Sequence, residues 1–172
     1  MNKLTLIALI VCLAFFSISC SRRESGPART ELRFGLATEP VTFDPLNPAN
    51  TADGRSILFN VFEGLVKPDS YGNLIPAIAE SYEREETALA YVFTLRPGVL
   101  FHDGTALSPS DIVFSLNTAI RARFSGLDNI EGIEITPQGK IRISLKEPDP
   151  EFLPYLTIGI VPKNTLTGKE IP

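Results

Sequence analysis

The sequence holds few side chains suited to covalent or acid–base chemistry. His102 is its only histidine, and its two cysteines, Cys12 and Cys20, both precede residue 21. A hydrolytic triad needs a base beside a nucleophile, and a transition-metal site needs several His or Cys ligands at short spacing. The sequence shows neither pattern, and it has no glycine-rich loop of phosphate-binding spacing. It therefore predicts a protein that is not an enzyme and that holds no metal or cofactor.

Two close pairs of carboxylates are the other groups that could transfer protons. Glu85 stands next to Glu86, and Asp149 lies close to Glu151. Paired carboxylates do acid–base work when a cleft perturbs their pKa values. Both pairs instead fall in polar stretches typical of turns, so we interpret them as solvated surface.

The N-terminus has the pattern of a secretory leader. Lys3 supplies a positive charge, and residues 4–16 are apolar except for Thr5. As a helix this apolar run would be about 20 Å long, too short for a hydrocarbon core of roughly 30 Å. Residues 1–19 are therefore predicted to be a signal peptide that directs export to the periplasm or cell envelope.

Cys20 follows this leader directly and is preceded by a small residue, Ser19. The junction resembles the lipobox of bacterial lipoproteins, whose cysteine is lipidated and becomes the mature N-terminus. It departs from that pattern at Ser17, where lipoboxes usually carry leucine, so ordinary cleavage and an uncleaved anchor stand as alternatives. Cys20 is the predicted lipid attachment site that holds the protein at the membrane. Residues 20–30 contain no large apolar side chain and are predicted to be a flexible tether.

Composition places the rest of the chain among ordinary globular proteins. Of the 172 residues, 44% are hydrophobic and 21% are charged, which excludes a disordered or collagen-like chain. Lys and Arg number 16 against 20 Asp and Glu, a formal net charge of −4. This acidic balance excludes nucleic acid as a partner. The 14 Pro residues are spread along the chain and disfavour a long helical bundle.

The first elements of the globular part are a strand and a helix. Residues 31–36 alternate at period two, as a half-buried strand does. A helical face follows, formed by Ile57, Leu58, Val61, Phe62 and Leu65. We expect Asp53 to cap this helix and Gly64 to end it.

The later part of the chain carries clearer turn and cap signals. Residues 65–67 lead into a turn at 68–72, and residues 91–95 alternate as a strand. Ser108-Pro109-Ser110-Asp111 predicts a helix start with a capping box. Two alternating runs around Thr136-Pro137-Gln138-Gly139 predict a β-hairpin with its glycine in the left-handed conformation. Strands and helices mixed in this way predict an α/β fold with α+β elements.

Four motifs of the chain occur in a distinctive order and spacing. They are Glu39-Pro40-Val41-Thr42-Phe43-Asp44-Pro45, Asn60-Val61-Phe62-Glu63-Gly64-Leu65, Gly72-Asn73-Leu74-Ile75-Pro76-Ala77-Ile78-Ala79-Glu80-Ser81 and Tyr91-Val92-Phe93-Thr94-Leu95-Arg96-Pro97-Gly98-Val99-Leu100-Phe101-His102-Asp103-Gly104-Thr105. Together they resemble family 5 extracellular solute-binding proteins, the peptide- and nickel-type receptors of ABC importers. The resemblance covers residues 32–163. It departs at Tyr82, where the family commonly carries tryptophan, and at residues 85–88, where an Asp-Gly turn is usual.

The resemblance implies a fold as well as a family. It implies the N-terminal part of a fold like the type II periplasmic-binding proteins, a first lobe with its inserted subdomain and with the second lobe missing. We expect residues 31–172 to form a partial solute-binding domain, with a compact subdomain over about 46–156. Residues 32–36 and 158–161 are expected to be strands of a larger sheet. The motifs also imply a tight turn at 101–105 and a short helix starting at Pro76.

The resemblance further implies a role without chemistry. A truncated substrate-binding lipoprotein of this kind would bind a peptide or other small solute and deliver it to the permease subunits of an ABC importer. In the family the segment after the Asp-Pro motif runs past the ligand, which points to Asn50, Thr51 and Ala52 as ligand-lining residues. The alternative for these residues is a loop that covers the core. The alternative for the whole chain is an exported, membrane-tethered structural or interaction remnant with no transport activity.

Overall fold

A computed structural model describes residues 33–85, 87 and 89–164 of the chain. The chain divides into two compact units, Met1–Gly35 and Leu36–Pro172. Of the first unit the structure describes residues 33–35, which have no regular secondary structure. The predicted signal peptide, the lipidated Cys20 and the tether lie outside the described residues. The helices and strands described here all belong to the second unit.

The described part of the second unit combines helices with two small antiparallel sheets. In chain order its elements are α1 (Ala52–Val61), β1 (Val66–Pro68), β2 (Leu74–Pro76), β3 (Ala79–Arg84), β4 (Ala90–Leu95), α2 (Pro109–Arg121), β5 (Ile130–Ile135), β6 (Ile141–Leu145) and the 3-10 helix Leu153–Thr157. Strands β1 and β2 pair as a hairpin, and the other strands form a sheet in the order β3-β4-β6-β5. The predicted mixture of α and β elements is confirmed.

The core lies where α2 packs on strands β5 and β6. Phe93 pairs with Ile141 across β4 and β6 and shares a sheet face with Ile143, and all three are fully buried. Ile112 and Leu116 on α2 are buried to the same extent. Burying a side chain of this size contributes about 1.5–3 kcal/mol, so this contact stabilises the fold substantially.

Local turn and cap chemistry forms as the sequence predicts. Ser108 and Asp111 make a capping box at the start of α2, where the N–H of Ser108 donates to the Asp111 carboxylate at 2.8 Å. In the β5-β6 hairpin the N–H of Gly139 donates to the carbonyl oxygen of Thr136 at 2.8 Å. Gly139 has a φ of 77°, the left-handed conformation that glycine adopts without steric cost.

The ends predicted for the first helix are wrong at both termini. Thr51 is the N-cap of α1, because its hydroxyl accepts from the N–H of Gly54 at 3.1 Å while Asp53 lies within the first turn. The helix stops at Val61 and is followed by an extended Phe62, so Gly64 does not end it. Helical periodicity continues through Phe62 and Leu65, but the backbone groups of Glu63 and Leu65 instead bond to Ile160 and Leu156.

Three other predicted elements differ from the structure. Pro76 is the last residue of β2 and does not start a helix, because the N–H groups of Ala77 and Ala79 are drawn to the carbonyl oxygen of Leu65. Residues 33–36 and 158–161 contain no strand. Alternation only sets which side of a segment is apolar, and a strand also needs the ladder hydrogen bonds of a neighbouring strand.

Candidate functional site

The loop before α1 is folded around the backbone of Asp44. The N–H of Asn47 and the side-chain amide of Asn50 both donate to the Asp44 carbonyl oxygen, at 3.2 and 2.7 Å. The Asp44 carboxylate accepts from the N–H of Leu46 at 2.9 Å in an Asx turn. Asp-Pro and Asn-Pro pairs favour such turns because the residue before proline avoids the helical conformation. The loop 44–50 is therefore a fixed platform at the N-terminal end of α1.

Asn50, Thr51 and Ala52, the predicted ligand-lining residues, adjoin one another but differ in exposure. Asn50 is 3% exposed, Thr51 is half-buried and Ala52 is exposed. The Asn50 Oδ1 atom is buried and has no hydrogen-bond partner within the described part of the chain. Ala52 is the first helical residue, where a backbone N–H has no partner inside the helix. Beside the helix cap there is thus one buried acceptor, the Asn50 Oδ1 atom, and one donor at the surface, the N–H of Ala52.

Charged groups flank the start of α1. The backbone N–H and the hydroxyl of Thr38 donate to Asp53 at 2.8 and 2.9 Å, and these hydrogen bonds lower the pKa of the Asp53 carboxyl. The Asp53 carboxylate therefore stays ionised beside the positive end of the helix dipole. On the other side, the Arg55 guanidinium donates to the carbonyl oxygen of Asn50 at 2.5 Å.

An apolar cleft of about 320 Å³ opens between α1, the loop after α2 and the 3-10 helix. Its aromatic residues are Phe59, Phe62, Phe124 and Tyr155, and Arg55 supplies a charge. Small-molecule sites are commonly apolar clefts of roughly 300–1,000 Å³ with a few polar groups. The cleft can hold an apolar group by burial and orient it through Arg55. It offers no pair of groups for proton transfer.

The sequence does not predict this cleft. Helical periodicity assigns Phe62 to a buried face, and Phe124 and Tyr155 lie in irregular stretches that carry no local signal. The residues converge only because the chain folds back between α2 and the 3-10 helix. Arg55 connects the cleft to the predicted ligand-lining residues. It lines the cleft, and its guanidinium also donates to the backbone carbonyl oxygen of Asn50.

His102 occupies the tight turn predicted for residues 101–105. Gly104 adopts a φ of 83°, and its N–H closes the turn by donating to the carbonyl oxygen of the residue three positions earlier at 2.9 Å. The hydroxyl and N–H of Thr105 donate to Asp103 and lower the pKa of its carboxyl. His102 itself is exposed. The motif is accounted for by turn formation.

The candidate carboxylate pairs also serve surface contacts. Glu85 pairs with Arg142 at 2.9 Å, whereas Glu86 lies outside the described residues. The Asp149 carboxylate accepts from the N–H of Glu151 at 2.9 Å in a local turn.

Within the described ranges, no group of three or more His, Cys, Asp or Glu side chains could hold a metal ion. No helix in those ranges has the length and apolar character needed to cross a bilayer.

Comparison with known families identifies a match across more than half of the chain. The profile of the family described as bacterial extracellular solute-binding proteins, family 5 Middle, matches residues 73–165. This range runs from β2 through the four-stranded sheet and α2 to the residues after the 3-10 helix. The match therefore covers the core of the described fold.

Individual relatives agree with the family match. The oligopeptide-binding protein AppA of Bacillus subtilis (strain 168) is 25% identical over 96% of this chain and 34% of its own length. The structure of AppA with a nonapeptide gives a TM-score of 0.65 at 26% identity, over 78% of this chain and 27% of that one. NikZ from Campylobacter jejuni, solved with Ni(L-His), gives a TM-score of 0.67 at 29% identity, over 77% and 27%. The chain spans about a third or less of the length of the curated relatives it matches.

Proposed function

Because this chain belongs to the bacterial extracellular solute-binding proteins of family 5, we propose that it takes part in capturing a peptide or related small solute for an ABC importer. The observation that carries the proposal is the similarity of 78% of this chain to a solved oligopeptide-binding protein at 26% identity. The chain delivers its solute to permease subunits and performs no reaction on it.

Peptide is the solute class we propose, since relatives similar to this chain are described as oligopeptide-binding. Other relatives bind smaller molecules: one is a glutathione-binding protein of Pectobacterium atrosepticum, 29% identical over 65% of this chain and 23% of its own length. The shared feature of these ligands is a polar backbone or carboxylate. The N–H of Ala52, the first residue of α1, has no partner inside the helix and suits such a group. We therefore propose that Asn50, Thr51 and Ala52 line the ligand side of this lobe.

The 172-residue chain is expected to bind peptides no more tightly than about 1 mM, which is roughly −4 kcal/mol. Tight sites bury most of the ligand surface, whereas the cleft and the α1 terminus described here are open on one side. We propose that the chain supplies a first lobe, and that a second lobe completes the site. Calorimetry of the full chain against a mixed peptide library measures the affinity. Micromolar binding would contradict this account and show that the chain carries a complete site.

We also propose that the protein is exported and anchored through a lipid on Cys20. In cells fed with labelled palmitate, the parent protein should incorporate label and the Cys20→Ser variant should not. A stable anchor needs two or more acyl chains, so loss of the modified cysteine removes the attachment. Cys12→Ser is the matched control, since it removes the other cysteine and should leave labelling unchanged. Equal labelling of the Cys20→Ser variant and its parent would place the anchor elsewhere.

A further inference from the structure

Helix α2 buries two polar side chains on one face, at Asp111 and Ser115. Ser115 is fully buried and Asp111 is 5% exposed. Buried polar groups are costly unless they are hydrogen-bonded. The Ser115 hydroxyl donates to the carbonyl oxygen of Val161 at 3.1 Å and accepts from the N–H of the same residue at 3.0 Å. One side chain thus satisfies both backbone groups of Val161.

Asp111 binds the next backbone donor along the same segment. Its Oδ1 atom accepts from the N–H of Lys163 at 2.9 Å, while its Oδ2 atom accepts from the N–H of Ser108 at 2.8 Å. The Lys163 ammonium, the charged group that faces Asp111, donates to the hydroxyl of Ser110 at 3.2 Å. Asp111 therefore joins the cap of α2 to the segment that follows the 3-10 helix.

The distance between Asp111 and Ser115 along the helix matches the distance between alternate residues of an extended chain. Asp111 and Ser115 are one turn apart, a rise of about 6 Å along the helix axis. Alternate residues of an extended chain are separated by about 6.6 Å. Pro162, which lies between the two bonded residues, has no N–H to satisfy. Every backbone N–H in the segment 161–163 is thereby bound to α2, and the segment runs antiparallel to the helix.

We propose that Asp111 and Ser115 form a side-chain clasp that replaces a neighbouring strand and lets the segment 161–163 detach without unfolding the sheet. Residues 158–161 have the alternation of a strand, yet Val161 bonds to a helix face, and the N–H of Ile160 donates to the carbonyl oxygen of Glu63 at 2.9 Å. Opening the clasp breaks the contacts of two side chains and leaves the ladder of β3-β4-β6-β5 intact. Because Ile160 and Val161 are buried, the open form is a minor state.

Hydrogen–deuterium exchange on the full chain, read by mass spectrometry with residue-level fragmentation, tests the clasp. In Ser115→Ala, the N–H of Val161 should exchange about tenfold faster relative to those of β6, because a lost bond leaves a buried donor unpaired. The N–H of Lys163 should change less, because Asp111 still accepts from it. Thr118→Ala is the matched control, since this hydroxyl lies on the same helix and donates to the carbonyl oxygen of Phe114. This control should leave the exchange rates of Val161 and Lys163, each taken relative to that of β6, unchanged. Equal acceleration of the segment and of β6, or no change in either, would overturn the proposal.

A second variant keeps the test decisive where Ser115→Ala fails to fold. Asp111→Asn preserves the size of the side chain and an acceptor oxygen, but it removes the charge that strengthens the bond to Lys163. The Lys163 N–H should then exchange faster while the Val161 N–H changes less, because Ser115 still holds Val161. Unchanged exchange at Lys163 would show that Asp111 serves the helix cap alone and would refute the clasp.

Discussion

Replacing Gly64 with alanine is expected to destabilise the protein by about 3 kcal/mol, near the upper end for overpacking. A Cβ atom at this position would lie 2.5 Å from the carbonyl oxygen of Leu156 and 2.6 Å from the carbonyl carbon of Thr157. Both are backbone atoms of the 3-10 helix and cannot rotate away. Moving that helix would also break the bond from the N–H of Leu65 to the Leu156 carbonyl oxygen, now 3.0 Å. Urea unfolding followed by circular dichroism measures the loss.

Gly35→Ala is the control for Gly64→Ala. A Cβ atom at Gly35 meets no atom within 4 Å. The same substitution there also lowers the backbone entropy of the unfolded chain but adds no clash, so its midpoint in urea should equal that of the parent or rise slightly. If the two variants unfold at the same urea concentration, the close approach of Gly64 to the 3-10 helix does not govern stability.

The parts of the fold that the sequence predicts are those that depend on neighbouring residues. The capping box of Ser108 and Asp111 and the turn ending at Gly139 are decided by chemistry within four residues, and both form. The position of Gly64 differs in kind. Glycine is needed here because the backbone of Leu156, which is distant in sequence, lies too close for a side chain to fit. The interpretation of Gly64 as a helix stop, which rests on neighbouring residues alone, is therefore wrong. Turn signals are therefore informative only where the contacts they require are local.

The candidate site was less predictable for the same reason. Hydrophobic periodicity cannot separate an aromatic residue that fills a core from one that lines an open cleft. Phe62 belongs to the predicted buried face, yet it lines the cleft. The clasp also escapes sequence reasoning, because a serine and an aspartate one turn apart are ordinary in a capped helix. Their partner segment, 161–163, lies about 50 residues away, and the preceding residues 158–161 have the pattern of a strand.

Replacing Phe152 with alanine is expected to cost about 3–5 kcal/mol, because the side chain leaves a cavity that the surrounding core cannot fill. Phe152 is fully buried, and its ring centroid lies 5.7 Å from that of Tyr91. The Tyr91 hydroxyl donates to the carbonyl oxygen of Asp149 at 2.9 Å, so the aromatic pair also positions the turn before the 3-10 helix. Thermal unfolding measures the loss. Phe43→Ala removes the same side chain where it is 61% exposed and should change stability by less than about 0.5 kcal/mol. Similar losses in the two variants would mean that Phe152 is not a core residue, and that the 3-10 helix is held by its backbone contacts with Gly64 and Leu65 instead.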